Sequence, residues 1–209
     1  MKHMNMRKLL IMILLCVSTF FTNAQTNKIE IGIIDTIKSK ILNEKRSVWI
    51  YKPENFNLQN KYPVIYLLDG DWHFISVVGM IQQMSYINGN AIFPEMIIVG
   101  IPIKDRFRDL TPTCDSLISK TSGGYNNFIS FISKELIPYI DSNYPTAPYK
   151  LLIGHSLGGL TVMNTLMKFP DMFNSYVAID PSMWWDNQIS LKEVKIFYQL
   201  KSSKIKDCF

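Results

Sequence analysis

Short apolar runs alternate with helical periodicities along most of the chain. Continuous apolar runs, typical of strands buried on both faces of a sheet, occur in YPVIYLLDG (62–70), EMIIVGIP (95–102), YKLLIGHS (149–156) and FNSYVAIDP (173–181). Apolar residues at helical spacing predict helices over 72–86, 124–143, 157–169 and from 190 onward. Pro138 lies inside the second of these and predicts a bent or shortened helix.

The N-terminal strands follow a different pattern from the buried runs. Residues 29–42 and 46–52 are extended segments joined by NEKR, and the alternation around Val48 and Ile50 is typical of a half-buried strand. Buried strands that alternate with helices indicate the α/β class with a mostly parallel sheet, here with an antiparallel edge made by the N-terminal strands. Ligands bind such sheets at the carboxyl ends of the strands. One rim is therefore expected to carry Asp69–Trp72, Gly100–Pro102, Ser156 and Asp180, beside a polar loop over 104–122.

The first residues have the pattern of a secretory signal peptide. Three basic residues within the first eight precede an apolar run from Leu9 to Phe21, and small residues end at Ala24. The run is shorter than the roughly 20 residues of a membrane-spanning helix. The sequence predicts a cleaved signal over 1–24, a single domain over 25–209, a secreted or periplasmic location, and no stable membrane span after cleavage.

Charge and cysteine content narrow the function classes. The chain has 22 basic and 17 acidic residues, a net charge of +5; without Lys2, Arg7 and Lys8 the counts are 19 and 17, or +2. So small an excess gives no support to nucleic-acid binding. Two cysteines, Cys114 and Cys208, remain after the predicted cleavage, either as separate thiols or as one pair in an oxidising compartment.

The segment GHSLGG places Ser156 in a G-x-S-x-G pattern between a predicted strand and a predicted helix. A sharp turn there crowds the backbone, which the flanking glycines relieve, and lifts the serine hydroxyl above the sheet at a helix N-terminus. The serine is a candidate nucleophile, and the N–H groups of Leu157 and Asp71 are candidate donors to an oxyanion. The alternative is a tight strand–helix turn with an incidental serine.

Several segments together resemble a known family. YPVIYLLDGDWHF, DRFRDLTPT, LIPYIDSNY, LLIGHSLGGL and AIDPSMWW, which fall between about Ile41 and Asn187, are similar to the putative-esterase branch of the α/β hydrolases. That branch includes enterobactin-esterase-like and esterase-D-like proteins. The resemblance implies an α/β-hydrolase domain, a small-molecule ester substrate, Ser156 as nucleophile, and no metal or organic cofactor. The ester is left open among siderophore esters, acyl esters and thioesters.

The chain departs from that family in its histidines. The triad of this fold runs serine, acid, histidine along the chain, yet the three histidines are His3, His73 and His155, all before Ser156. We therefore expect that the chain lacks the C-terminal strands of the fold and that its active site is impaired. His155 is expected to pack beneath the turn, and His73 to line the pocket rather than act as the base.

Further rim residues are candidates for substrate binding. Trp72 and His73 follow the predicted oxyanion strand, and Trp184 and Trp185 are able to wall an acyl or aryl pocket, although one of the pair is equally suited to the core. Arg106 and Arg108 either clamp an anionic group of the substrate or pair internally with an aspartate such as Asp109. Asp180 and Asp186 are weaker candidates, better suited to turns or caps.

Two functions follow from the sequence. The first is a serine esterase impaired by the absence of a histidine after Ser156. The alternative is a non-catalytic protein of the same fold that binds a ligand in the pocket.

Overall fold

The apolar runs form the centre of a six-stranded sheet in the computed structural model, which describes residues 29–85, 89 and 91–206 and side chains as far as residue 196. The strands are β1 (Ile33–Ser39), β2 (Glu44–Tyr51), β3 (Tyr62–Leu68), β4 (Ile97–Ile101), β5 (Thr146–His155) and β6 (Ser175–Ile179), in the spatial order β1-β2-β4-β3-β5-β6. Strands β3 to β6 run parallel, whereas β2 is antiparallel to β4 and β1 antiparallel to β2. The predicted mostly parallel sheet with an antiparallel N-terminal edge is confirmed.

The chain divides into a unit of Met1–Glu30 and a unit of Ile31–Phe209, and the fold is that of the second unit. The predicted signal peptide, Cys16 and Cys208 lie outside the described residues, so cleavage after Ala24 and the Cys114–Cys208 alternatives stay predictions. Cys114 is exposed. Across the described part of the chain, no helix has the length and apolar content needed to cross a membrane.

Helices cover both faces of the sheet. They are α1 (Gly70–Ser85), α2 (Arg106–Leu110), α3 (Tyr125–Phe131), α4 (Ile137–Asn143), α5 (Leu157–Lys168) and α6 (Trp185–Lys206). Alternate residues of β3 point to opposite faces, as a strand requires. Ile65 and Leu67 pack with α1, whereas Tyr66 and Leu68 pack with α3 and α5. The central strands β3 and β4 are therefore buried on both sides, which explains their continuous apolar runs, whereas Val177 and Ile179 of the edge strand β6 are 40% and 49% exposed.

The helical pattern over 124–143 is interrupted where the sequence predicted a bend. A π-helical segment, Ile132–Leu136, separates α3 from α4, and Pro138 lies in the first turn of α4. Proline has no N–H to bond the carbonyl four residues earlier. The wider π turn directly before it accommodates the missing hydrogen bond without breaking the helical path.

A buried ion-pair network fastens the N-terminal hairpin to the rim of the sheet. Arg46 of β2 and Asp109 of α2 are each 1% exposed and form a salt bridge. The Arg46 guanidinium also lies 5.4 Å from the ring centroid of Phe128 and 5.9 Å from that of Phe131. The polar stretch 104–122 is therefore not wholly a loop, since α2 forms inside it with Asp105 as its N-cap.

We expect Asp109→Asn to lower the free energy of unfolding by about 3 kcal/mol, because it leaves the buried Arg46 charge with Glu44, 3.3 Å from its Nε, as its one remaining carboxylate among the described residues. Urea unfolding followed by circular dichroism measures the change. Lys104→Ala is the matched control: its ammonium is 3.5 Å from Glu44 but half exposed, so its loss changes stability by at most about 0.5 kcal/mol. Equal effects of the two substitutions would contradict the structural role of the buried pair.

Candidate active site

Ser156 occupies a strained turn between β5 and α5. Its backbone has φ 57° and ψ −116°, a conformation that costs a non-glycine residue free energy. The turn brings Gly154 against Gly158: a Cβ on Gly154 would lie 2.4 Å from the carbonyl carbon of Gly158. A side chain at Gly154 would overlap this backbone, and one at Gly158 would lie only 3.2 Å from Asp69 Oδ2, which explains the spacing in the motif.

The turn is held by the end of β6, by the first turn of α5 and by the segment after β6. The Ser156 N–H donates to the Ile179 carbonyl at 3.0 Å, and the Ser156 carbonyl accepts from the N–H groups of Leu160 at 2.9 Å and Ser182 at 3.0 Å. The Ser156 Oγ lies 3.1 Å from the Oγ of Ser182. Sequence analysis missed Ser182, although its place two residues beyond the rim residue Asp180 was a signal that could have found it.

The two candidate oxyanion donors lie in the first turns of two helices. Leu157 is the first residue of α5, and Asp71 is the second residue of α1, directly after β3. N–H groups in the first turn of a helix have no acceptor within the helix, and the helix dipole favours negative charge there. Strands β3 and β5 are adjacent in the sheet, so the two helix N-termini start at the same edge. Their oxyanion role stays a prediction.

Asp69 and Arg106 form a pair beside the turn. Arg106 donates from Nε to one oxygen of Asp69 at 2.8 Å and from Nη2 to the other at 3.1 Å. Asp69 is 1% exposed, and its Oδ2 would lie 3.2 Å from a Cβ on Gly158. The Arg106 guanidinium lies 4.8 Å from the ring centroid of Trp72, which is 62% exposed. Arg106 and Trp72 thus form one stacked surface at the rim.

Arg108 is held away from that surface. Its Nε donates to Asp109 at 2.7 Å and its Nη2 to Glu44 at 2.8 Å, and the hydrogen bond with Asp109 raises the pKa of the Arg108 guanidinium. Of the two alternatives for the arginines, the structure contains the internal carboxylate pairs. A direct contact of Arg106 or Arg108 with substrate stays a prediction.

The tandem tryptophans have different surroundings. Trp185 is fully buried, and its indole Nε1 donates to the carbonyl of Thr113 at 3.3 Å and to its Oγ1 at 3.2 Å. Trp184 is 55% exposed. Trp185 is therefore the member of the pair that belongs to the core, so Trp184 is the one left to wall a substrate pocket.

His73 and His155 pack against each other on the α1 face of the sheet. Their ring centroids are 5.6 Å apart in an edge-to-face arrangement, and both line a cavity of about 270 Å³ with Leu67, Ser76, Val77, Ile153 and Ile179. Among the described residues, neither imidazole forms a hydrogen bond to Ser156, and His73 Nε2 is buried with no partner.

Among the described residues, neither Asp180 nor Asp186 forms a hydrogen bond or ion pair with an imidazole. Asp180 is exposed in the turn after β6 with φ 41°, and Asp186 has φ 44° at the irregular start of α6. Within residues 29–85, 89 and 91–206, no three His, Cys, Asp or Glu side chains are grouped to hold a metal ion.

Comparison with known proteins identifies related chains. The family model described as "Putative esterase" matches residues 39–204. The ferri-bacillibactin esterase BesA of Bacillus subtilis is 34% identical over 182 residues, covering 76% of this chain and 61% of that protein. The siderophore enterobactin esterase of Emericella nidulans is 30% identical over 152 residues, covering 64% of this chain and 50% of that protein. The chain thus spans about half to three fifths of the length of these curated relatives.

A solved structure has the same fold at comparable identity. An IroE-like serine hydrolase from Shewanella oneidensis superposes with a TM-score of 0.74 at 34% identity, covering 79% of this chain and 55% of that chain. The BES protein from Bacillus cereus superposes with a TM-score of 0.73 at 30% identity, covering 83% and 70%.

We expect Gly154→Ala to lower the free energy of unfolding by about 2 kcal/mol or more, because the added methyl overlaps the Gly158 carbonyl. Thermal and urea unfolding measure the change. Gly79→Ala is the control, since nothing lies within 4 Å of its Cβ position in α1 and alanine favours a helix over glycine by about 1 kcal/mol. A stabilised Gly154→Ala variant would contradict the close contact.

Proposed function

Because the chain belongs to the Putative esterase family, we propose that it is a carboxylic-ester hydrolase in which Ser156 is the nucleophile. The observation that carries the proposal is the backbone of Ser156. A serine with φ 57°, held between Gly154 and Gly158 at the junction of β5 and α5, presents its hydroxyl at the carboxyl edge of the sheet.

The reaction follows from this placement. The Ser156 Oγ attacks the carbonyl carbon of the ester, its proton passes to a base, and the carbonyl oxygen becomes an oxyanion. The N–H groups of Leu157 and Asp71 stabilise that oxyanion. The alcohol then leaves with a proton, and water releases the acid from the acyl-serine.

The base that accepts the proton of Ser156 is the catalytic group that we propose the 209-residue chain to lack. No histidine follows Ser156 in the sequence, and the Oγ of Ser156 has the Ser182 hydroxyl as its partner at 3.1 Å. Without a base, the nucleophile loses most of its activation, while oxyanion donors and binding retain a residual acceleration. We therefore propose slow ester hydrolysis by this chain; ligand binding without turnover is the alternative function.

The proposed substrates are siderophore esters. Two of the relatives are named for them, a ferri-bacillibactin esterase and an enterobactin esterase. The stacked surface of Trp72 and Arg106 provides an exposed indole and a cation at the rim. Such a surface suits an aromatic acyl group that carries negative charge.

We expect the purified chain to hydrolyse p-nitrophenyl acetate slowly, and added imidazole to raise the rate at least about threefold, because it supplies a proton acceptor. Subtracting the rate of Ser156→Ala at each imidazole concentration removes hydrolysis by imidazole itself. Full turnover without imidazole, abolished by both Ser156→Ala and His73→Ala, would overturn the impairment and identify His73 as the base.

A second assay addresses the substrate and the alternative function. Enterobactin is incubated with the chain, its products are separated by liquid chromatography, and the thermal midpoint is measured in parallel. Ser156-dependent cleavage supports the esterase. A raised midpoint with no cleavage, even with imidazole, supports the binding protein.

The proposed location is secreted or periplasmic, on the strength of the basic, apolar and small-residue pattern that ends at Ala24. We expect protein exported from a bacterial host to begin at Gln25 on N-terminal sequencing. Ala24→Phe serves as the control, since a bulky residue at the cleavage site blocks processing. Membrane-retained protein that begins at Met1 would indicate an uncleaved anchor instead.

A further inference from the structure

We infer that Ser182 is a positioning residue for Ser156: its hydroxyl holds the Ser156 side chain in one rotamer, and its main-chain N–H holds the turn. The inference rests on the proposed function, since it assigns Ser182 a role in presenting the nucleophile. Ser182 does not touch the reacting carbonyl and acts only through Ser156.

The two serines are joined at two points. The Oγ atoms lie 3.1 Å apart, and the Ser182 N–H donates to the Ser156 carbonyl at 3.0 Å. Among the described residues, Ser182 is the hydrogen-bond partner of the Ser156 hydroxyl. Both the main chain and the side chain of the nucleophile are therefore held by one residue from the segment after β6.

Ser182 is itself fixed in place by its neighbours. It is 4% exposed, and its carbonyl accepts the N–H of Trp185 at 3.1 Å. Trp185 is buried and bonded through its indole to Thr113. Because its surroundings fix it in place, the Ser182 hydroxyl is able to hold the Ser156 side chain. A mobile surface serine would instead move with its partner.

The segment after β6 also packs against α5, the helix that begins directly after Ser156. A Cβ on Gly159 would lie 2.9 Å from the Cα of Pro181 and 3.0 Å from the Ile179 carbonyl oxygen. Glycine at this position lets the Asp180–Met183 segment approach the first turn of α5. The approach brings Ser182 within hydrogen-bond distance of Ser156.

The positioning has a chemical consequence. A serine side chain has three staggered rotamers, and they aim the Oγ in different directions. In this chain no imidazole bonds to the Oγ among the described residues, so the Ser182 hydroxyl is the group that selects one rotamer. Losing one hydrogen bond of ordinary strength should therefore slow attack by Ser156 about threefold to tenfold.

The rate of covalent labelling tests the inference on the full chain. A fluorophosphonate is attacked by the serine Oγ, a phosphorus–oxygen bond forms, and fluoride leaves with the proton as hydrogen fluoride. Intact-mass spectrometry follows the adduct at several probe concentrations and separates the maximal labelling rate from the probe affinity. We expect Ser182→Ala to lower the maximal rate about threefold to tenfold with little change in affinity, and Ser182→Thr, which keeps the hydroxyl, to restore it in part.

Ser190→Ala is the matched control. Ser190 is also buried, and its hydroxyl bonds to Asn164 at 3.1 Å, away from Ser156. If Ser182 only stabilises the fold, both alanine variants lower the thermal midpoint and neither changes the maximal labelling rate. That result overturns the inference, and so does faster labelling of Ser182→Ala.

A crystallographic measurement keeps the inference separate from the proposed function. In high-resolution crystals, we expect one Ser156 rotamer in the unsubstituted chain and several in Ser182→Ala; one unchanged rotamer in both overturns the inference. Absence of labelling at Ser156 in the unsubstituted chain would count against the nucleophile, with the rotamer measurement still deciding the role of Ser182.

Discussion

The contact between the backbones of Gly154 and Gly158 is the constraint on which the site depends. A side chain at Gly154 would keep the end of β5 from approaching the first turn of α5. Ser156 would then no longer be held at a positive φ. The same device recurs along the rim. A Cβ on Gly70 would lie 2.5 Å from the Ile101 nitrogen. At both points main chain therefore approaches main chain directly, with no side chain between.

Each arginine of this part of the rim pairs with a carboxylate inside the protein. Asp69 accepts hydrogen bonds from Nε and Nη2 of Arg106, and Asp109 joins Arg46 to Arg108. These pairs tie the segment 104–111 to β3 on one side and to the N-terminal hairpin on the other. Buried carboxylates of this kind hold arginine planes in fixed orientations. The exposed Trp72 ring lies against the Arg106 plane that Asp69 holds in this way.

The sheet and the serine turn were predictable because their signals are local. Four apolar runs and the spacing of two glycines specify the strands and the turn without reference to distant residues. The missed or undecided features all depend on long-range packing. Ser182 lies 26 positions from Ser156 along the chain, and Glu44 lies 64 positions from Arg108. Trp184 and Trp185 differ only in which side of the backbone faces the core. No pattern in a single segment distinguishes these outcomes.

The π-helical segment before Pro138 has a consequence for how this chain tolerates change in length. A π turn contains one residue more than the α turn it replaces. Removing one residue between Ile132 and Leu136 would convert it to a regular turn and leave Pro138 inside a continuous α-helix, where its ring meets the carbonyl of the residue four positions earlier. The length of this segment is therefore fixed by Pro138, as the glycine-crowded backbone fixes the length of the turn at Ser156.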